Sequence, residues 1–237
     1  MNVAVLVDII KETNKNWRFI FEDPLADELK YLPGHLVQLV ANPGQDNSFI
    51  RNYSVASWPD GTNKFELIVT DLPGGQMSNH LFLEAEIGTE FLYRGPMGAF
   101  TLTNELETRP LYFISTGSGI SPFRSMINWI YEKKIDFKEI KLFFGTRTED
   151  DLLYRDEMEK IAKELPNFEY IPVLSQEDKP GFLQGHVHKH YLNVIDNTEI
   201  KPLVYFCGWD RMISEGRMEL DKRGFKMQQD IKVEIFG

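Results

Sequence analysis

The sequence predicts two domains, an N-terminal antiparallel β-barrel and a C-terminal α/β domain built on a doubly wound parallel sheet. Three observations carry this. The chain has 237 residues, more than a minimal module needs and enough for two domains of about 100–150 residues. Up to about residue 106, short β-branched or aromatic runs are broken by turn residues. Beyond that point strand-like runs alternate with amphipathic helical stretches, the rhythm of a parallel sheet.

In the first half, strands are predicted at Val3–Val7, Trp17–Phe21, Leu36–Val40, Phe65–Val69 and Glu90–Tyr93, punctuated by Pro33-Gly34 and Asp60-Gly61. This barrel is assigned residues 1–105, and the polar segment Asn104–Pro110 is the candidate linker. In the second half, residues 106–237, buried-type strands are predicted at Leu111–Ile114, Ile140–Phe144, Phe168–Val173 and Leu203–Cys207. Helical stretches fall around Pro122–Lys134, Leu153–Leu165 and Asp210–Lys222. Lys232–Phe236 alternates as a final strand, with Glu234 and Phe236 on one side.

Composition narrows the function classes. A formal charge of −10 opposes binding to nucleic acid or anionic membranes. The single cysteine, Cys207, can form neither an intramolecular disulfide nor a multi-cysteine metal cluster. No run approaches the roughly 18 apolar residues of a membrane span, and the N-terminus lacks the marks of a signal peptide. The expectation is a cytoplasmic protein with no nucleic-acid partner and no membrane span. His186, His188 and His190 would gather only on an extended segment, and no acid or thiol flanks them at ligand spacing; no metal site is expected.

Three segments carry chemistry. Gly117-Ser118-Gly119 follows a strand and opens a helix at Ser121-Pro122, so its backbone can approach a pyrophosphate that meets helix N-terminal amides; alone, it is also a plain strand-to-helix turn. In Arg51-Asn52-Tyr53-Ser54, alternation sets Arg51 and Tyr53 on one face. The arginine suits a phosphate and the tyrosine ring suits a flat heterocycle, although a snorkelling arginine beside a half-buried tyrosine accounts for composition alone. Gly74-Gly75-Gln76-Met77-Ser78 could offer amides and a hydroxyl to a second phosphate, or be a turn with a serine cap.

Taken in order with Pro33-Gly34-His35 and Cys207-Gly208-Trp209-Asp210-Arg211-Met212, these segments resemble the ferredoxin–NADP reductase family of flavoenzymes over nearly the whole chain. The resemblance implies a flavin-binding barrel followed by a nicotinamide-nucleotide domain. It implies hydride transfer between nicotinamide and flavin N5, with electrons then passed to a separate acceptor. FAD is favoured over FMN, because its pyrophosphate gives the glycine–serine group a ligand.

Residue by residue, the resemblance puts Tyr53 against the isoalloxazine, Arg51 on the flavin phosphates and Ser54 near N5. It assigns Gly75, Met77 and Ser78 to the flavin pyrophosphate, and Gly117, Ser118, Gly119 and Pro122 to the nicotinamide nucleotide's pyrophosphate. Cys207 and Gly208 would stand where the nicotinamide reacts, with Trp209 replacing the family's usual proline. Glu234 and Phe236 match the flavoglobin-reductase branch, whose terminal aromatic covers the flavin.

For the nucleotide, Arg147 leaves the second strand of the α/β half and favours NADPH, whereas Ser175-Gln176 lacks the second cation of a 2′-phosphate site and leaves NADH open. Arg147 could also pair with Glu149 or Asp150. The acceptor implied is a redox protein such as ferredoxin or flavodoxin, or a small molecule. Lys133, Lys134, Lys138 and Lys141 are candidates for a basic rim. Two alternatives stand beside this reading: a reductase of free flavin, and a reductase component of an oxygenase or electron-transfer complex.

Overall fold

The computed structural model describes residues 1–41, 44 and 48–236. It divides into two compact units: Met1–Thr101 with Ser121–Trp129, and Leu102–Ile120 with Ile130–Gly237.

The first unit is a six-stranded antiparallel sheet of β1 (Asn2–Lys11), β2 (Asn16–Glu22), β3 (Leu36–Ala41), β4 (Phe49–Ser54), β5 (Lys64–Thr70) and β6 (Glu90–Met97), in the order β4-β3-β6-β1-β2-β5. Period-two alternation sends Phe19 and Phe21, Phe65, Leu67 and Val69, and Phe91 and Tyr93 into one core. Phe21 stacks on Phe65 with centroids 5.2 Å apart. The Tyr93 hydroxyl donates to Asp23 at 2.7 Å, so this buried ring keeps a partner for its polar tip. The chain after β4 curls the sheet toward closure: the Val55 amide donates to His35 and the Ala56 amide to Glu66 of β5. β4 is the strand that alternation does not single out, because Arg51 and Asn52 are adjacent exposed polar residues at its centre.

The opening turns of α2 (Ser121–Lys133) complete this unit. Arg124, nearly buried, donates to Glu66 at 3.0 Å and to the Ala56 carbonyl at 3.1 Å, with its guanidinium 5.4 Å from the Trp58 ring centroid. A buried arginine is tolerable only with such a paired and hydrogen-bonded environment. Gly34, at φ +96°, lies so close that an added Cβ would be 2.0 Å from the Phe100 carbonyl oxygen.

The second unit contains β7 (Leu111–Thr116), β8 (Ile140–Thr146), β9 (Phe168–Leu174), β10 (Leu183–Gln184), β11 (Leu203–Trp209) and β12 (Ile231–Phe236). They form one parallel sheet in the order β10-β9-β8-β7-β11-β12. Its central strands read as continuous apolar runs because both faces are covered. Tyr112, Ile114, Phe143, Val204 and Phe206 pack in one cluster with residues of α4 (Val187–Asp196) and α5 (Asp210–Asp221). Along the chain, α3 (Arg155–Glu164) joins β8 to β9.

At the amino-terminal ends of the strands Asp230, 3% exposed, accepts from Arg109 at 2.6 Å and from Lys201 at 2.7 Å. Arg109 also donates to the carbonyls of Lys201, Pro202 and Gln229. The segment read as a linker, Asn104–Pro110, therefore contains a residue clamped to this unit.

Helix α4 is absent from the sequence expectation. Its apolar residues Val187, Tyr191, Leu192 and Ile195 follow a helical period, which the three histidines obscure. His188 Nδ1 lies 2.8 Å from the Tyr191 hydroxyl and His190 Nε2 lies 2.9 Å from the Gln184 carbonyl oxygen. Among the described residues, no helix is long and apolar enough to cross a membrane.

Candidate nucleotide and flavin sites

In a parallel α/β sheet, ligands gather outside the carboxyl ends of the strands where the strand order reverses. Here that point lies between β7 and β11. Gly117–Ile120 forms a 3₁₀ turn directly after β7 and runs into α2, with Pro122 in its first turn. The turn is held tightly against β11. A Cβ on Gly119 would lie 2.3 Å from the Cys207 carbonyl oxygen, and one on Gly208, at φ +142°, would lie 2.4 Å from Thr116 Oγ1. Only glycine fits at either position. The Trp209 amide donates to Thr116 Oγ1 at 3.3 Å, a bond that a proline at this position could not make. Gly117 and Ser118 stay half-exposed above the packed Gly119. The backbone of this turn can thus present N–H groups to an anion, aided by the dipole of a following helix of more than three turns.

Beneath the turn, Ser115, Cys207 and Glu234 share one rung across β7, β11 and β12. Cys207 is fully buried, and burial, reinforced by the Glu234 carboxylate, pushes its thiol well above the ordinary range. It is a neutral thiol and not a nucleophile. The Ser115 hydroxyl is buried without a hydrogen-bond partner among the described residues. Phe236 ends β12 in register with Trp209; its ring lies outside the described side chains.

Arg147 follows β8 and is exposed. The Ser175 amide donates to Thr146 and the Gln176 amide to Arg147, which sets these residues side by side at the ends of β8 and β9. Glu149 does not pair with Arg147: its carboxylate binds Arg155 and Lys179, and its amide donates to Glu177 at 2.8 Å. Arg147 makes no ion pair among the described residues.

In the first unit, β4 carries Arg51, Tyr53 and Ser54. Tyr53 packs against the barrel core, and burial, opposed by Arg51, raises its phenol to about 12. Ser54 is buried. Arg51 is exposed and donates to the Ile50 carbonyl and, at 3.3 Å, to Gln76 of α1 (Gln76–Asn79). Residues 25 apart in sequence thereby meet: the guanidinium of β4 reaches the start of α1, where Gly75 caps the helix and no side chain satisfies the first-turn amides. The Ser78 hydroxyl is turned inward, accepting from the Leu72 amide at 2.8 Å and donating to Asp71, and Met77 is buried in the core. What α1 offers outward is therefore backbone. Gln76 was not singled out in the sequence; its place one residue after the paired glycines was the available signal.

The donor chemistry fits FAD. An exposed guanidinium beside uncapped helical amides suits a pyrophosphate, and the half-buried phenol on the same strand suits an aromatic heterocycle. The Gly117–Ile120 turn likewise suits a nicotinamide dinucleotide. Of the proposed basic rim, Lys141 is paired with Glu169 and Glu139.

Known proteins agree with this division. Residues 4–102 match the oxidoreductase FAD-binding domain and residues 113–217 the oxidoreductase NAD-binding domain. Ferredoxin–NADP reductase B of Sorangium cellulosum is 35% identical over 170 residues, 69% of this chain and 68% of that protein. The anthranilate 1,2-dioxygenase electron transfer component of Acinetobacter baylyi is 32% identical over 201 residues. That alignment covers 83% of this chain but only 55% of the relative, so the chain spans little more than half of that protein. Among solved structures, an Amycolatopsis cytochrome P450 reductase superposes with a TM-score of 0.87 at 26% identity, covering 99% of this chain and 69% of that one. A ferredoxin NADP+ reductase from Neisseria gonorrhoeae, with bound FAD and NADP, shares the fold at TM-score 0.83 and 20% identity, covering 98% and 97%. With a phosphate-ready barrel strand, a glycine turn at the sheet's switch point and these relatives in agreement, the chain belongs to the ferredoxin–NADP reductase family.

Proposed function

We propose that this protein is an NAD(P)H-dependent flavoprotein reductase that binds FAD on its barrel and delivers electrons to a separate acceptor. When bound, FAD takes hydride from the reduced nicotinamide and releases electrons onward, chemistry that belongs to the cofactor. The protein's contribution is position and electrostatics. Tyr53 would pack on the flavin ring, Arg51 and the α1 amides would hold its phosphates, and Ser54 would lie near the ring. The Gly117–Ile120 turn and Pro122 hold the dinucleotide. Cys207, a neutral buried thiol, shapes the floor under the nicotinamide with Gly208, while Glu234 and Phe236 end the strand beside it. Arg147, with Glu149 engaged by Arg155 and Lys179, is the donor for a 2′-phosphate, so NADPH is the preferred donor and NADH a competent one.

The observation that supports this most strongly is the meeting of Arg51 with Gln76 at the opening of α1, which brings an exposed guanidinium from one motif to the helix start of another. The test is purification followed by release and identification of the flavin, then steady-state oxidation of NADPH and NADH with ferredoxin, flavodoxin and a dye as acceptors. Bound FAD with turnover supports the reading; a protein that binds neither FAD nor FMN contradicts it.

A second reading concerns the acceptor. Relatives named as electron transfer components of dioxygenases favour an oxygenase, reached directly or through an iron–sulfur protein, as the terminal acceptor. Faster turnover with such a component than with ferredoxin or flavodoxin would select it.

A further inference from the structure

Trp209 is 62% exposed at the rim of the nucleotide turn, an unusual position for the largest apolar side chain. Its backbone is not free to vary. Gly208 before it is locked against Thr116, and its own amide is bonded to Thr116 Oγ1. The indole is therefore presented from a fixed stem at the point where β11 passes into α5. Its Nε1 lies 3.9 Å from where a Cβ on Gly117 would stand, so the ring edge carrying the N–H is turned toward the first glycine of the turn. That N–H has no hydrogen-bond partner among the described residues. Indole is a donor only, and the turn it faces runs into α2, whose first amides have no partner within the helix. An unpartnered indole N–H facing the start of a helix suits an anionic acceptor with several lone pairs.

We propose that Trp209 is a positioning residue for the nicotinamide dinucleotide, its indole N–H donating to a pyrophosphate oxygen held over the Gly117–Ile120 turn. This rests on the reductase reading. The indole adds one charge-assisted hydrogen bond to those of the turn and covers the phosphates from the β11 side, fixing the dinucleotide at the edge of the sheet where Cys207 lies beneath.

Trp209→Phe keeps an aromatic ring and removes the donor. Calorimetric titration of the FAD-loaded protein with NADP+, NAD+ and the matching ADP-ribose, which carries the pyrophosphate but no nicotinamide, tests the assignment. The dissociation constant is expected to rise about tenfold for the dinucleotide and for ADP-ribose alike, as loss of one hydrogen bond to a charged group requires. The nucleotide-induced change in tryptophan emission should be lost with the indole. Unchanged affinity in the variant would overturn the proposal, and so would a loss confined to the dinucleotide with ADP-ribose unaffected. Wild-type protein that binds none of these ligands would overturn the reductase reading as well, whereas tight wild-type binding with an indifferent variant sinks the Trp209 role alone.

Discussion

Cys207 and Glu234 are in-register partners on β11 and β12, and the carboxylate joins burial in keeping the thiol protonated. The native thiol should therefore resist iodoacetamide at neutral pH and react only on unfolding, as followed by mass spectrometry. The sign of the pH dependence follows. The unfolded thiol ionises near pH 8.5 while the folded one does not, so above that pH the unfolded state binds fewer protons and stability falls as pH rises. Replacing Cys207 by alanine should slow flavin reduction by about tenfold through loss of positioning, with nucleotide affinity changed by less than about twofold. Rapid-mixing absorbance separates the two effects.

Asp230 sets the acid limit of the second unit. Burial pushes its carboxyl up, but hydrogen bonds from Lys201, the Lys226 amide and Arg109 prevail and hold it at about 2. A depressed folded pKa stabilises above the unfolded value near 3.9, and that gain of about 2 kcal/mol disappears as pH falls from about 4 toward 2. Asp230→Asn removes the buried counter-ion of Lys201 and leaves Arg109 only its longer pair with Glu105, and should cost about 3 kcal/mol at neutral pH. Urea denaturation at pH 7 and pH 3 would show the difference between wild type and variant shrinking in acid.

Arg147 is the residue proposed to divide the two nicotinamide nucleotides. Because Glu149 is bound by Arg155 and Lys179, removing Arg147 breaks no internal ion pair. Arg147→Ala should raise KM for NADPH about tenfold and leave KM for NADH within about twofold. Equal effects on both would remove the arginine from the 2′-phosphate site.

Tyr53 is expected to contribute ring contact with the flavin and little else. Tyr53→Phe should retain FAD, while Tyr53→Ala should weaken it by about tenfold, the scale of a lost aromatic contact. Equilibrium dialysis of FAD against both variants measures this.

Much of this architecture could be read from the residues because period and burial coincide. Trp17, Phe19 and Phe21 recur at every second position, and Phe65–Val69 and Leu203–Cys207 are largely apolar and buried throughout, so each reveals its strand. β4 and α4 are harder to see for opposite reasons. Arg51 and Asn52, adjacent and both exposed, break the alternation of their strand, and His186, His188 and His190 overlay a period of two on a helix. The glycine turn was legible as a motif, but its tight seat against Cys207 and Gly208 needs the third dimension. So does the inward turn of Ser78: a serine after two glycines looks the same in sequence whether its hydroxyl caps a loop or meets a phosphate.

The central claim is that hydride passes from a nicotinamide on the second unit to FAD on the first. Anaerobic mixing of the FAD-loaded protein with NADPH, and with NADPH deuterated at the transferred position, tests it most directly. The account predicts bleaching of the flavin's visible absorption, slowed by the deuterium, before any acceptor is added. A flavin that stays oxidised with both NADPH and NADH would contradict it.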